Sequence, residues 1–264
     1  IDSAQSLGAE PSKAGVPDLK TPDYRSEDPN RWSQTLNQSV VALERLLSSA
    51  DAMDPAVRNH HEMTLRLLYL AQRNLEQAQR SIDGLSEREQ EYVHHQLAAW
   101  YLASSPDANP SRPRHWSQVM EEQKIANRQL AALSTLHITN VAFCTQVDGY
   151  GTINKFAKNS FRPDQDVLLY CELENVTSEK VREGYESRVR GTYEIRDAQG
   201  KRVVEQVLPM EPDVCTNERR DFFLVYKIYM PAAIDAGRYE LLLTMEDLHG
   251  NKFAHGKSEF EIKK

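Results

Sequence analysis

The chain has 264 residues, of which 40% are hydrophobic and 27% charged, with a formal net charge of −7 and a pI near 5.7. This composition excludes a chain that is disordered throughout, and the length allows two domains of ordinary size. Lys and Arg are not concentrated in any segment, so we expect no nucleic-acid partner.

The first 30 residues contain scattered prolines and no apolar periodicity. Such a composition is typical of a flexible leader, which we assign to residues 1–30. No run of about 18 apolar residues occurs in the chain, so we expect contact with a membrane only through an anchor that precedes Ile1.

The stretch 31–136 has one glycine, Gly84, whereas 137–264 has eight. Helices exclude glycine and β-turns need it, so the boundary between a helical domain and a β-domain is predicted near Leu136. We expect a helical domain at 31–136 and a β-sandwich domain at 137–264.

Four helices are predicted in the first domain. An apolar stripe at helical spacing begins at Trp32, and Asp54 followed by Pro55 predicts the start of a second helix that runs to Gly84. The Ser86-Glu89 spacing is that of a capping box and opens a third helix, and a fourth follows the Pro-rich loop 104–113. We expect an all-α bundle or a pair of stacked hairpins.

The second domain alternates apolar and polar residues with period two. This pattern predicts seven antiparallel strands in a sandwich, near 138–147, 166–175, 188–196, 202–208, 221–230, 238–246 and 253–262. The fold class is therefore α+β, with two domains.

Three cysteines are too few for a disulfide framework. Strand phase places Cys171 with the core residues Leu169 and Leu173, whereas Cys144 lies on the face opposite Phe143. A bridge between these two cysteines is therefore disfavoured, although the phase leaves the state of Cys215 open.

Candidate catalytic and metal sites fail on spacing. Glu91 and His94 have the i, i+3 spacing of di-iron helices, but such a site needs two of these motifs. In each of the pairs His60-His61 and His94-His95, the two side chains would point about 100° apart on a helix. They therefore fit surface positions better than a metal site. We expect no catalytic residues, no metal and no cofactor, and therefore a protein that is not an enzyme.

One predicted strand, 221–230, is apolar on both faces and must be covered twice. Either the helical domain covers the second face, which is the expected arrangement, or an external partner does. The residues assigned to this partner or ligand surface are Leu168, Tyr170, Tyr150, Phe222 and Tyr226.

The stretch AGRYEL at 236–241 follows a corner at Pro231 and resembles the penultimate strand of immunoglobulin-like and fibronectin-III-like modules. In those modules a tyrosine near the strand start locks the corner, and Tyr239 takes that position here. The resemblance implies an immunoglobulin-like sandwich. The core tryptophan and disulfide of antibody domains are missing from this half.

The segments FCTQVDGYG at 143–151, FRPDQDVLLY at 161–170 and ELEN at 172–175 resemble an uncharacterised, planctomycete-type group of secreted bacterial proteins. That group joins a helical region to such a sandwich, and the likeness spans most of 85–264. It implies an extracytoplasmic location, periplasmic or secreted, and implies no activity.

We therefore expect a non-catalytic, extracytoplasmic interaction or scaffolding protein whose partner is another protein or a cell-envelope component. The alternative is a carbohydrate-binding module in which Tyr150, Tyr185 or Tyr193 stack on sugar rings. That alternative predicts a row of exposed aromatic side chains, whereas protein docking predicts a broad apolar patch.

Overall fold

The computed structural model describes residues 31–49, 53–105, 111–210 and 212–263, so the predicted leader at 1–30 lies outside the described residues. The described chain is α+β, with five helices followed by twelve strands. The helices are α1 (Arg31–Ser48), α2 (Pro55–Ala71), α3 (Leu75–Ala78), α4 (Glu87–Ala103) and α5 (Arg112–Leu133).

The strands form three sheets. They are β1 (His137–Gly149), β2 (Thr152–Lys155), β3 (Ser160–Phe161), β4 (Asp166–Glu174), β5 (Ser178–Val181), β6 (Gly184–Ser187), β7 (Val189–Asp197), β8 (Arg202–Val207), β9 (Asp213–Cys215), β10 (Phe222–Tyr229), β11 (Gly237–Asp247) and β12 (Lys252–Ile262). The front sheet has the order β10-β4-β1-β2, the back sheet β3-β12-β11-β7-β8, and the side sheet β5-β6-β9.

Two of the helix starts lie where the sequence predicts them. Asp54 accepts backbone hydrogen bonds from Ala56 (2.9 Å) and Val57 (3.3 Å), and Pro55 occupies the first position of α2. The capping box at the start of α4 is also confirmed, since the Ser86 side chain accepts from the Glu89 N–H while the Glu89 carboxylate accepts from the Ser86 N–H (2.7 Å). These bonds satisfy N–H groups that a helix start leaves unpaired.

The prediction of one long helix up to Gly84 is wrong, because α2 ends at Ala71 and a short α3 follows. Arg73 has a φ of +64°, a left-handed conformation that no helix interior allows. Asn74 then caps the new helix by accepting from the Gln77 N–H at 3.2 Å. Apolar residues continue at helical spacing after this break, so the sequence pattern did not indicate it.

The five helices pack mainly against their neighbours in the chain, and the predicted four-helix bundle is not confirmed. Their shared apolar cluster comes from α1 to α4 and consists of Val40, Leu47, Leu65, Tyr69, Ala78 and Leu97. Helix α5 is outside this cluster and packs on α4 partly through polar contacts, such as His95 to Glu122 at 2.7 Å.

Each of the seven predicted strands is present, but the described chain has twelve strands and not seven. The five additional strands, β2, β3, β5, β6 and β9, have two to four residues each and are too short to show a period of two. The back sheet is not purely antiparallel, because β3 pairs parallel with β12.

The core of the β-domain lies between the front and back sheets, which makes the two sheets facing layers. The front sheet contributes Phe143, Val167, Leu169, Cys171, Leu173, Phe222, Tyr226 and Ile228, and the back sheet contributes Phe161, Val189, Tyr193, Ile195, Leu241, Leu243, Met245, Ala254, Phe260 and Ile262. The role predicted for Tyr239 is confirmed, because its hydroxyl donates to the Asp235 carbonyl at 3.0 Å across the corner before β11.

The helical part meets the β-domain at the C-terminal end of α5. The Lys252 ammonium donates to the carbonyls of Ala131 (3.2 Å) and Ala132 (3.3 Å) in α5, and to that of Asn175 (2.5 Å) after β4. Asp247 lies 3.6 Å from the same ammonium. A cation at this position caps the negative end of the helix and fixes it to the β-domain.

Asp247 is completely buried, yet its carboxylate is well satisfied. It accepts from the backbone N–H groups of Thr177 (2.8 Å) and Gly250 (3.1 Å) in addition to its pairing with Lys252. A Cβ on Gly250 would lie 2.5 Å from this carboxylate and 2.4 Å from the Lys252 Cε atom. The close approach therefore requires glycine at this position.

Replacing Gly250 with alanine is expected to lower the free energy of unfolding by about 2–3 kcal/mol, because the added methyl group displaces the Asp247–Lys252 pair. Gly149→Ala is the matched control, since a Cβ there meets nothing within 4 Å. Chemical denaturation of both variants measures the difference. Equal stability of the two variants would contradict the requirement for glycine at position 250.

Replacing Lys252 with methionine is expected to lower the free energy of unfolding by about 3–5 kcal/mol, because the buried Asp247 carboxylate loses its cation. Lys257→Met on the same strand is the control, since that side chain is 69% exposed and its ion pair with Glu240 is on the surface. Thermal and denaturant unfolding monitored by circular dichroism measure both. If Lys252→Met lowers the free energy of unfolding no more than Lys257→Met does, the Lys252–Asp247 pair is not needed for stability.

Candidate functional site on the outer face of the front sheet

The five residues predicted as a partner surface divide between two faces of the front sheet. Phe222 and Tyr226 point into the core between the sheets and are buried, so their assignment to a surface is wrong. Leu168, Tyr170 and Tyr150 belong to the other side, which we call the outer face. Of these three, only Tyr150 is exposed, at 40%, and Tyr170 is completely buried.

Tyr170 is buried because a second, smaller apolar cluster covers it on the outer face. Its ring centroid lies 5.8 Å from that of Phe223, which in turn lies 6.3 Å from that of Tyr150. Ala142 and Cys144 on the neighbouring strand β1 complete the buried part of this cluster. The outer face is therefore apolar over the middle of strands β10, β4 and β1.

The Tyr170 hydroxyl fixes the turn between β1 and β2 over this face. It accepts from the Gly151 N–H at 2.8 Å and donates to the Glu172 carboxylate at 2.7 Å. Burial is the main cause that raises the pKa of the Tyr170 phenol to about 12, so the phenol remains a donor across the physiological range. The turn consists of Tyr150 and Gly151, and Gly151 has a φ of +67°.

The outer face continues along β10 through its odd-numbered residues. Val225 lies opposite Tyr170 and Lys227 opposite Leu168 in the register with β4. Val225 is 38% exposed and Tyr229 58% exposed, while the Lys227 ammonium pairs with Asp166 at 2.8 Å. Together with Phe223, these side chains form a surface that is apolar with one charge pair.

Strand β10 is also an edge of the front sheet, since in the described chain it pairs only with β4. The Met230 N–H donates to the Gln165 carbonyl at 2.9 Å, which places even-numbered residues in the hydrogen-bonded pairs with β4. The N–H and C=O groups of Phe223, Val225, Lys227 and Tyr229 consequently point away from the sheet. Edge groups of this kind can accept another strand.

The expectation that the helical part covers this face is wrong for the exposed residues. The hydrogen bonds from the β-domain to α5 lie at the Lys252 junction, whereas Val225 and Tyr229 remain open to solvent. The sequence contains a signal for this outcome in Lys227. Lys227 is the charged residue within 222–230, so its position indicates that the odd-numbered side chains of this strand face solvent. Phe223, Val225 and Tyr229 are odd-numbered as well.

All three cysteines are free thiols. Cys171 belongs to the core between the sheets and Cys144 to the outer-face cluster, which confirms the opposite phases predicted for them. Burial raises the pKa of both thiols, that of Cys171 to about 12. Both side chains therefore stay protonated at neutral pH and are poor nucleophiles.

The histidine pairs lie on the helices, away from the outer face. His95, the neighbour of the His94 considered in the sequence, contacts Glu91 (3.4 Å) and Glu122 (2.7 Å). His60 and His61 have a ring separation of 5.7 Å on α2. In the part of the chain that the structure describes, no group of three or more His, Cys, Asp or Glu side chains is placed to hold a metal ion.

The three tyrosines proposed to stack on sugars do not form a row. Tyr193 is only 1% exposed in the core, and its hydroxyl donates to Gln206 at 2.8 Å. Tyr150 lies at the β1–β2 turn and Tyr185 on β6 of the side sheet. Burial removes Tyr193 from the carbohydrate alternative, and the other two belong to different sheets.

No family model matches the chain, and no curated protein matches it. Among solved structures, the alkylpurine DNA glycosylase AlkC of Pseudomonas fluorescens bound to DNA with an abasic site analog is similar, with 12% identity, a TM-score of 0.28 and 85% of this chain covered. The match spans 64% of that glycosylase chain.

Two further structures are similar to about half of the chain. An immunoglobulin-like protein of Pseudomonas aeruginosa has 11% identity and a TM-score of 0.26, covering 49% of this chain and 98% of its own. The sporulation control protein Spo0M of Bacillus subtilis has 5% identity and a TM-score of 0.29, covering 50% of each chain. Similarity at this level does not transfer a function to this chain.

Replacing Tyr170 with phenylalanine is expected to lower the free energy of unfolding by about 1–2 kcal/mol, because the Gly151 N–H loses its acceptor. The Gly151 amide should exchange with solvent faster than in the wild type. Tyr150→Phe, which keeps the ring contact with Phe223, is the control and should leave Gly151 unchanged. Urea unfolding and amide exchange by NMR measure both effects, and unchanged exchange in Tyr170→Phe would contradict the assigned bond.

Proposed function

We propose that the chain is a non-catalytic interaction or scaffolding protein that binds a partner protein by accepting an extended strand along the edge of β10. The observation that supports this proposal is the alternation along β10 between residues that hydrogen-bond to β4 and residues that face away from it. The residues whose backbone groups point away from the sheet, Phe223, Val225, Lys227 and Tyr229, also present their side chains on the outer face.

An added strand would gain affinity and specificity from different groups. Its backbone would pair with the outward N–H and C=O groups of β10, and its alternate side chains would contact the outer face beside Val225 and Tyr229. Lys227 lies in the middle of this edge, where a cation discourages pairing between two copies of the same edge. Its ammonium is paired with Asp166, so an acidic residue at the facing position of a partner strand would share that ammonium with Asp166.

The non-catalytic part of the proposal is supported by the buried thiols of Cys144 and Cys171, whose raised pKa values make them unsuitable as nucleophiles. We further infer that the β-domain is an immunoglobulin-like sandwich, which the Tyr239–Asp235 bond supports.

An extracytoplasmic location, with a cell-envelope protein as partner, is part of the same proposal. Its support is the sequence likeness to the planctomycete-type secreted proteins. No helix within the described ranges is long and apolar enough to cross a membrane.

The test is a Val225→Pro variant of the whole chain. Proline removes one outward N–H and leaves the pairing of β10 with β4 intact, since residue 225 does not donate to β4 in this phase. We expect retention of an envelope protein from cell extract to fall at least fivefold relative to the wild type. A second variant, Tyr229→Ser, removes an exposed outer-face side chain without affecting the backbone and should lower retention as well.

Val207→Pro is the matched control, because Val207 is a 63% exposed valine on β8, an edge strand of the back sheet. Both proline variants are first checked for folding by circular dichroism. A partner retained equally by both would exclude the β10 edge, and one lost equally from both would indicate a general effect of proline. Extracts that yield polysaccharide but no protein would favour the carbohydrate alternative.

A further inference from the structure

A cleft of about 900 Å³ lies between helix α5 and the β-domain, next to the start of β10, and Arg219 of its lining also lies 5.6 Å from the centroid of the Phe223 ring. One wall is formed by residues about one turn apart on α5, among them Met120, Lys124 and Arg128. The other wall is formed by the β5–β6 hairpin and by the segment 218–220 that precedes β10. This volume is in the range of sites that hold small or short ligands.

The cleft has the opposite charge to the chain as a whole. Its lining contains six basic side chains, Arg88, Lys124, Arg128, Lys180, Arg219 and Arg220, and three acidic ones, Glu174, Glu179 and Glu218. The formal charge of the chain is −7. A concave site with excess positive charge in an acidic protein concentrates its potential on an anionic ligand.

Only part of this positive charge is neutralised within the protein. Arg219 pairs with Asp213 at 2.6 Å, Lys124 with Glu121 at 2.5 Å, and Arg128 lies 3.8 Å from Glu218. For Arg88, Lys180 and Arg220, no carboxylate lies within ion-pair distance among the described residues. These three cations come from α4, β5 and the segment before β10, so they surround the cleft from different sides.

The lining also contains two buried polar atoms without a partner. The Thr177 hydroxyl and the Gln129 Oε1 atom make no hydrogen bond within the described ranges. Thr177 is only 3% exposed. Both atoms are sealed from solvent, and the Thr177 Oγ1 atom faces Gly250, so they lie behind the cleft surface and the recognition of a ligand rests on the charged side chains.

We propose that this cleft binds a short acidic peptide segment. The three glutamates lie among the cations, and they oppose a dense charge such as a polyphosphate. They tolerate single carboxylates spaced along a peptide, and the glutamates can accept hydrogen bonds from the backbone N–H groups of that peptide. A long polyanion such as a nucleic acid would extend beyond the cleft over a surface of negative net charge. The cleft lining does not include Val225 or Tyr229, so the variants that test the β10 edge leave the cleft residues unchanged and either proposal can fail without the other.

The experiment measures binding of a fluorescein-labelled octapeptide of alternating Glu and Ser to the whole chain by fluorescence anisotropy. The variant Lys180→Glu/Arg220→Glu reverses two exposed, unpaired cations of the cleft and is expected to weaken binding at least tenfold. Raising the salt concentration should weaken binding to the wild type as well. Circular dichroism verifies that the variant is folded.

The matched control is Lys201→Glu/Lys257→Glu, which changes the net charge equally at two exposed lysines outside the cleft lining. Its affinity should stay within twofold of the wild type. No binding to the wild type, or equal losses in both variants, overturns the proposal. Tighter competition by inorganic tripolyphosphate than by the unlabelled peptide would replace the acidic peptide with a phosphate ligand.

Discussion

The arrangement of the two parts of this protein depends on one buried ion pair. Lys252 occupies the C-terminal end of α5, where it satisfies two helix carbonyls, and it neutralises Asp247 at the start of the β11–β12 turn. Desolvation lowers the pKa of the Lys252 ammonium, while the Asp247 charge opposes that shift. Because both charges are shielded from water, neither is tolerable without the other.

This pair also determines where the remaining surfaces can form. By fixing α5 at its last turn, it holds one side of the helix against the β-sheets and leaves the cleft open beside it. The helices do not extend over the front sheet, so its outer face remains accessible along β10. The junction therefore separates a basic cleft from an apolar strand edge.

The two surfaces have different chemistry, and each would select a different feature of a partner. The β10 edge offers backbone hydrogen bonds beside apolar side chains, which suits an extended strand. The cleft offers unpaired cations, which suit an acidic segment. A protein with two such sites would be suited to scaffolding, since one partner or two could make the two contacts.

The sequence by itself determined the α+β class, the seven longer strands and two helix starts, because these depend on periodicity and capping residues. The tyrosine corner was expected from the resemblance to immunoglobulin-like modules. The sequence also assigned Cys144 and Cys171 to opposite faces, since strand phase is a property of the local chain. The same phase argument applied to Lys227 would have identified the exposed side of β10.

Only the tertiary structure decided the rest. The choice between Phe222 and Phe223 as core or surface depends on which face of the strand meets the back sheet, and an aromatic residue on either face gives the same local pattern. The burial of Tyr170 depends on a turn 19 residues away. The pairing of Lys252 with the end of α5 joins groups about 120 residues apart, and no local interaction specifies such a contact.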